Sequence, residues 1–160
     1  MHMYTESLNL LNERGVTLED IVECVVFLQK DYIDNIDEDE IYEIVKGVLA
    51  KREVQHALLT GVNIDVQVEN NEFGSSSINK VILEDQGLYG IDEVLAYGIC
   101  NLYGSIALTN YGYIDKVKPG IIGELNDPNS GKCHTFLDDI VGAIAAAAAS
   151  KLAHSQIDVI

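Results

Sequence analysis

Positively charged residues are scarce in this sequence of 160 residues. Ten Lys and Arg stand against 26 Asp and Glu, which gives a formal net charge of −16. Such an acidic surface repels nucleic-acid phosphates and anionic lipid headgroups, and it attracts cations. We therefore expect no nucleic-acid partner. Acidic runs such as IDEDEIYE (36–43) are typical of a solvated helix face, so charge alone does not locate a functional site.

Cysteines and long apolar runs are also few. The three cysteines form no CxxC motif, and their odd number favours reduced thiols in a cytosolic protein. The first 15 residues lack a basic region followed by an apolar one, so we expect no signal peptide. The best apolar run, IVGAIAAAAAS (140–150), is about half of the roughly 20 residues that a transmembrane helix needs. These features predict a cytoplasmic protein without a transmembrane segment.

Strand signals are poor, whereas helix signals are plentiful. The segment VNIDVQVE (62–69) alternates, but its flanks continue a helical period, which favours a helix. Thr17 and Asp20 form the pattern of a capping box, and Asp37 suits the cap of the next helix. Pro119 suits the first position of a short helix over 119–125. The pattern predicts one all-α domain of six or seven helices.

Two helices are predicted to lie at the centre of this domain, one over 91–110 and one over 135–154. Both are apolar on nearly every side and rich in glycine, alanine and serine. A helix that is apolar all round must be buried, and small residues let helix backbones approach closely. The small residues of GSIALTNYG are also compatible with a homo-oligomer interface.

Four short stretches contain candidate functional residues: HALLTG (56–61), GIDEVLAYG (90–98), IDKVKPG (114–120) and LDDIVGA (137–143). Two of them place a pair of acids on the first turn of an apolar helix. A structural interpretation treats these pairs as caps, because Thr135 and Asp138 have capping-box spacing and acids favour helix N-termini. Capping does not require two adjacent acids on each helix, however. Asp139 in particular has no capping role.

A metal site explains the acid pairs if the two helix N-termini lie together. Four carboxylates would then lie close together, those of Asp92, Glu93, Asp138 and Asp139. Asp115 could make a fifth. Like charges so close are unfavourable unless a cation lies between them, and carboxylate oxygens suit Mg²⁺ or Mn²⁺. Lysines at positions 116 and 118 would attract an anionic substrate. A metal ion, a lysine and carboxylates together are typical of sites that catalyse phosphoryl transfer.

The four stretches, in this order, resemble the phosphatidylglycerophosphatase A family, with similarity over residues 54–154. His56 to Gly61 match its H-L-L-x-x-G motif, and Asp92 to Val94 match its D-E-hydrophobic motif. Asp115 with Lys118 and Pro119, and then Asp138 to Gly142, match the remaining two. The resemblance is strongest to the soluble YutG-like branch, also called low temperature requirement C proteins. It implies a single all-α domain over 1–160, with N-terminal helices in 1–50, the shared core in 51–160 and a central helix ringed by others.

The resemblance implies a Mg²⁺-dependent phosphatase of phosphatidylglycerophosphate. On this hypothesis the substrate is a phosphate monoester, either lipid-linked or a soluble analogue. Metal ligands would be Asp92, Glu93, Asp115, Asp138 and Asp139. Asp139, Asp92 and Lys118 would be the catalytic residues, and Lys118 would contact the phosphate.

The sequence departs from the membrane-bound relatives in ways that favour an alternative. Those relatives carry a P-G-T-x-G-S segment where this chain has VNIDVQVEN, and an arginine where it has Gly112. They also have transmembrane helices. The alternative is a catalytically silent module that binds a metal or another ligand and has a regulatory role.

Overall fold

The computed structural model describes residues 2–157, and within that range the chain is helical with no strand. It comprises α1 (Met3–Glu13), α2 (Leu18–Gln29), α3 (Glu38–Leu49), α4 (Arg52–Glu69), α5 (Ser76–Leu83), α6 (Ile91–Cys100), α7 (Ser105–Val117), α8 (Ile121–Leu125) and α9 (Thr135–Ile157). The predicted all-α class is confirmed. These are more helices than the six or seven expected from the sequence.

Helix α9 forms the centre of the molecule. Every residue from 135 to 150 is buried, and α2, α3, α4, α6, α7 and α8 pack around it. Its run of five alanines, Ala145 to Ala149, is fully excluded from solvent. Because alanine adds little width to a helix, the surrounding helices approach the α9 backbone closely. The prediction of one central buried helix ringed by others is confirmed.

The single helix predicted over 91–110 is wrong, because the chain breaks into α6 and α7. Residues 101–104 form a turn that ends at Gly104, whose φ of +92° is rarely accessible to residues with a side chain. α6 is also not buried on every side. Val94 and Tyr97 are 63% and 48% exposed. The sequence predicted one long helix because α6 carries apolar residues on its exposed face as well as on its buried one, so the apolar pattern does not show where the helix ends.

Sequence patterns that predict where a helix begins were more reliable than the predicted helix lengths. The capping box of Thr17 and Asp20 is formed, and the Asp37 carboxylate accepts hydrogen bonds from the backbone N–H groups at the start of α3. Residues 62–69 continue α4, as predicted. Pro119 does not occupy the first turn of α8, because Gly120 with φ +55° intervenes and the helix begins at Ile121.

The three cysteines are free and buried within the helical core, which agrees with the expected reduced thiols. Burial raises the pKa of Cys24 and of Cys100 to about 12, so neither thiol is activated as a nucleophile.

Among residues 2–157, no helix combines the length and the apolar character that crossing a membrane requires.

Candidate metal centre

Carboxylates from α6, α7 and α9 meet at one end of the central helix. Asp92, Glu93 and Asp139 form one group, and Asp115, Asp138 and Asp139 form a second. Within each group, one oxygen per residue lies within 4.8 Å of the others. Asp139 belongs to both groups. The fold thus brings together the five acids singled out from the sequence, and their role as metal ligands remains a proposal.

Most of this cluster is removed from solvent. Asp92, Asp138 and Asp139 are 6%, 5% and 5% exposed. Burial raises the pKa of Asp138 and of Asp139 well above the usual range, and the neighbouring Asp138 carboxylate raises that of Asp139 further. Burial and the charge of Asp92 also raise the pKa of Glu93. Without a cation, the cluster therefore retains protons that separate, hydrated carboxylates would release.

Lys118 supplies positive charge beside the cluster. Its Nζ lies 3.4 Å from Asp115 Oδ1 and 4.0 Å from Asp138 Oδ2. Burial lowers the pKa of Lys118, but Asp115 and Asp138 outweigh this effect and raise it overall. Its backbone has φ +53°, and the Gly123 backbone packs so closely that an added Cβ would lie 2.7 Å from Lys118 O. Lys116, also expected here, is exposed and forms no ion pair among the described residues.

The first turn of α9 is held by Asp65 of α4, a residue that the sequence analysis missed. Its carboxylate accepts hydrogen bonds from Phe136 N at 2.9 Å and from Leu137 N at 2.9 Å. Asp65 is fully buried, and these two N–H groups have no partner within their own helix. Asp65 therefore caps α9 from a distant point in the chain and fixes the residues immediately before Asp138 and Asp139.

The capping box expected from Thr135 and Asp138 does not form. Thr135 Oγ1 instead donates a hydrogen bond to Ile82 O at 2.6 Å, and Asp138 Oδ2 accepts one from Asn126 Nδ2 at 2.9 Å. Since Asp65 already satisfies the helix end, the first-turn acids of α9 are not needed as caps. The purely structural interpretation of this pair thereby loses its main support.

An ion pair stabilises the segment that enters α9. Arg14 Nη2 lies 2.8 Å from Glu69 Oε1 and also donates to Cys133 O at 2.9 Å. Cys133 N donates in turn to Glu69 Oε1 at 2.7 Å. The Arg14 hydrogen bond lowers the pKa of Glu69 to about 2. This network connects α1, α4 and the residue two positions before α9.

The HALLTG motif has a packing role at its glycine. A Cβ on Gly61 would lie 2.6 Å from Ile140 Cδ1, 3.0 Å from Leu95 Cδ2 and 3.1 Å from Phe136 Cδ1. Gly61 therefore lets α4 pack closely against α6 and α9, two of the three helices that carry the carboxylates. His56 of the same motif is exposed and belongs to neither carboxylate group.

Asp85, in the loop between α5 and α6, is a further acid near the cluster. Reduced hydration and the charge of Asp92 raise its pKa to about 6, and Lys118 lowers it. Its charge also raises the pKa of Asp138. The backbone of Asp85 has φ +49°, which Asp tolerates better than most residues. Asp85 was not predicted from the sequence, because no motif or regular spacing relates this loop residue to the acids of α9.

The donor set fits a hard divalent cation. All ligand atoms on offer are carboxylate oxygens, which suit Mg²⁺ or Mn²⁺. Asp138 Oδ1 is buried without a hydrogen-bond partner among the described residues. A buried carboxylate oxygen left unpaired is costly, and a cation between the two groups would remove that cost.

Comparisons with known proteins agree on one family. The family model described as phosphatidylglycerophosphatase A matches residues 9–154. YutG of Bacillus subtilis is 57% identical over 144 residues, covering 90% of this chain and 86% of that protein. YpjQ of the same organism is 48% identical over 150 residues, covering 94% and 84%.

Solved structures show the same fold. The low temperature requirement C protein of Listeria monocytogenes superposes with a TM-score of 0.95 at 52% identity, covering 99% of each chain. A protein of unknown function from Bacillus stearothermophilus gives a TM-score of 0.92 at 53% identity, covering 95% of this chain and 94% of its own. The resemblance predicted from four motifs therefore extends over nearly the whole chain.

Proposed function

This chain belongs to the phosphatidylglycerophosphatase A family, and on that basis and the geometry of its carboxylates we propose that it is a metal-dependent phosphatase of the cytoplasm. Its substrate would be a phosphate monoester, either phosphatidylglycerophosphate or a soluble analogue. The observation that carries the proposal is the pair of carboxylate groups that share Asp139, with Lys118 beside them. Buried acids are rarely gathered this way unless a cation compensates them.

We assign Asp92, Glu93, Asp115, Asp138 and Asp139 as the residues that hold Mg²⁺ or Mn²⁺. When bound, the cation would supply positive charge that stabilises the phosphoryl oxygens during transfer. The shared position of Asp139 makes it the ligand on which both groups depend. Asp92 is the buried member contributed by α6.

Lys118 would bind and orient the phosphate. Its side chain is 40% exposed, so it can reach a substrate in solvent while its charge remains next to Asp115 and Asp138. The left-handed backbone and the close contact with Gly123 fix the direction in which it leaves α7. Lys118 would then orient an anion bound beside the carboxylates.

Hydrolysis also requires a group that removes a proton from the attacking water. A general base works best when its pKa lies near the working pH. A carboxylate of the cluster that the cation leaves free would take this role.

The alternative, a catalytically silent module, is favoured by one further observation. An added Cβ on Gly112 would meet nothing within 4 Å, so open space stands where the membrane-bound relatives carry an arginine. The glycine-rich segment of those relatives is replaced here by the end of α4. A site with fewer phosphate contacts could bind the metal without turning over a substrate.

Phosphate release separates these two functions. The purified protein would be assayed with glycerol 3-phosphate and with short-chain phosphatidylglycerophosphate, with Mg²⁺ and with EDTA. We expect release that depends on Mg²⁺ and is lost in Asp139→Asn and Asp92→Asn, whereas Asp34→Asn, an exposed control, keeps it. Metal binding without turnover would favour the silent module. Full activity in both site variants would disprove the site assignment.

A further inference from the structure

The segment from Val94 to Ile114 contains no charged residue, although the chain as a whole has 10 Lys and Arg and 26 Asp and Glu. It covers most of α6, the turn at 101–104 and most of α7. A segment of this length without charge would be expected to lie in the core. Instead, it carries a large share of the exposed apolar side chains of the described residues.

Part of this exposed apolar surface lies on the outer face of α6, with Leu88 just before the helix, Leu102 in the turn after it and Leu108 on α7. Ile91 and Val94 are three residues apart on α6, and Gly98 follows at a spacing of four, so the three share its outer face. Tyr97 lies beside them and meets Tyr111 of α7 edge to face, with ring centroids 5.4 Å apart. The exposed fractions are Leu88 101%, Ile91 54%, Val94 63%, Tyr97 48%, Leu102 38% and Leu108 38%. We call this surface the α6 face.

Glycines make the α6 face uneven in a way that suits helix packing. An added Cβ on Gly98 or on Gly112 would meet nothing within 4 Å, so both are hollows on the surface. Val94 and Tyr97 project next to the first hollow. A face that combines ridges and hollows can pack against a second copy of itself, as ridges into grooves require.

The area of the α6 face matches what a dimer needs. At roughly 150–200 Å² for a fully exposed large apolar residue, the six exposed fractions correspond to about 500–700 Å². The exposed backbone at Gly98 and Gly112 adds to this area. A standard interface buries about 800 Å² per partner.

Charge indicates which partner fits. Two copies that each carry a net charge of −16 repel one another over most of their surfaces, so they can approach only through an uncharged face. A basic partner would be drawn to the acidic surface instead. We propose that the α6 face is the interface of a symmetric homodimer. The proposal does not depend on the phosphatase activity.

The oligomeric state of the full chain tests the proposal. Light scattering during gel filtration and sedimentation equilibrium would be measured for the wild type, Val94→Glu, Leu88→Glu and Met3→Glu. Met3 is 36% exposed and lies on α1, which packs against α4, so it is the control. We expect twice the 17.5 kDa chain mass for the wild type and for Met3→Glu. Either substitution on the α6 face should weaken the dimer by about 30-fold or more.

The outcomes are decisive in both directions. Circular dichroism would check that each variant is folded. If Val94→Glu does not fold, Leu88→Glu decides the test, because Leu88 is fully exposed and its substitution should not disturb the fold. A monomeric wild type, or a dimer that neither substitution on the α6 face weakens, would overturn the proposal. A monomer that sediments with phosphatidylcholine vesicles, and loses this binding in Val94→Glu, would assign the face to a membrane and also overturn it.

Discussion

Two acid pairs with nearly the same local sequence occupy different environments in this molecule. Asp138 and Asp139 begin α9, where every following residue to Ser150 is buried. Asp92 and Glu93 begin α6, which has one face in the core and one in solvent. The buried Asp65 caps α9, whereas Gly90, the residue before α6, provides no side-chain cap. The α9 pair is therefore fixed by tertiary structure, and the α6 pair completes the site from its edge.

This difference shows that a shared motif does not imply a shared contribution. We expect changes to the α9 acids to cost more in metal binding than changes to the α6 acids, and changes to the residues that hold the start of α9 to cost more in stability than their controls elsewhere.

The largest difference should appear in catalysis. Asp139→Asn removes the ligand common to both carboxylate groups, while Glu93→Gln removes a less buried ligand from one of them. We expect Asp139→Asn to lower kcat/KM by at least about a hundredfold and Glu93→Gln by about tenfold. Initial rates of phosphate release in saturating Mg²⁺ would measure both. Equal losses would show that the two pairs contribute alike.

The next effect concerns the cap of α9. Asp65→Ala leaves two buried N–H groups without a partner, and we expect it to lower the free energy of unfolding by about 2–4 kcal/mol. Asp37→Ala removes a cap from the exposed start of α3 and should cost about 1 kcal/mol. Urea unfolding followed by circular dichroism would compare them. If Asp65→Ala costs no more than its control, then Asp65 does not fix α9.

Close packing at the start of α9 should give a smaller effect. Gly61→Ala places a Cβ 2.6 Å from Ile140 Cδ1, and we expect a loss of about 1–3 kcal/mol. Gly47→Ala, in α3, meets only Lys151 Nζ at 3.7 Å and should stabilise the protein by about 0.5–1 kcal/mol. Opposite shifts in melting temperature would confirm the close approach, and a neutral Gly61→Ala would contradict it.

The smallest effect concerns pH. Burial raises the pKa of Asp138 to about 7 from its ordinary 3.8, so the folded state holds protons that the unfolded state releases. Stability without metal should therefore fall as pH rises through this window. Mg²⁺ should raise the melting temperature more at the upper end than at the lower. Asp139→Asn should flatten the slope more than Glu93→Gln, because Asp139 is the more buried group.

An increase in stability with rising pH in the absence of metal would contradict this prediction. It would indicate that the cluster is already compensated by other charges. Scanning calorimetry in EDTA over this range would distinguish the two cases.

Sequence patterns predicted the helical class, the central helix and the five acids that meet. They succeeded because capping and burial signals are local and because α9 is apolar on all sides. They failed at residues 91–110, where an exposed apolar face resembled a buried one and a glycine turn interrupted the helix. Asp65 and Asp85 were missed because their importance depends on contacts between distant segments of the chain.

The proposed metal site is tested most directly by calorimetric titration of Mn²⁺ into the wild type and into Asp139→Asn at neutral pH. We expect saturable binding by the wild type, accompanied by release of protons from the buried carboxylates, and loss of that binding in the variant. Titration in two buffers of different ionisation enthalpy would measure the protons released. Absence of binding by the wild type, or unchanged binding by Asp139→Asn, would contradict the proposed site.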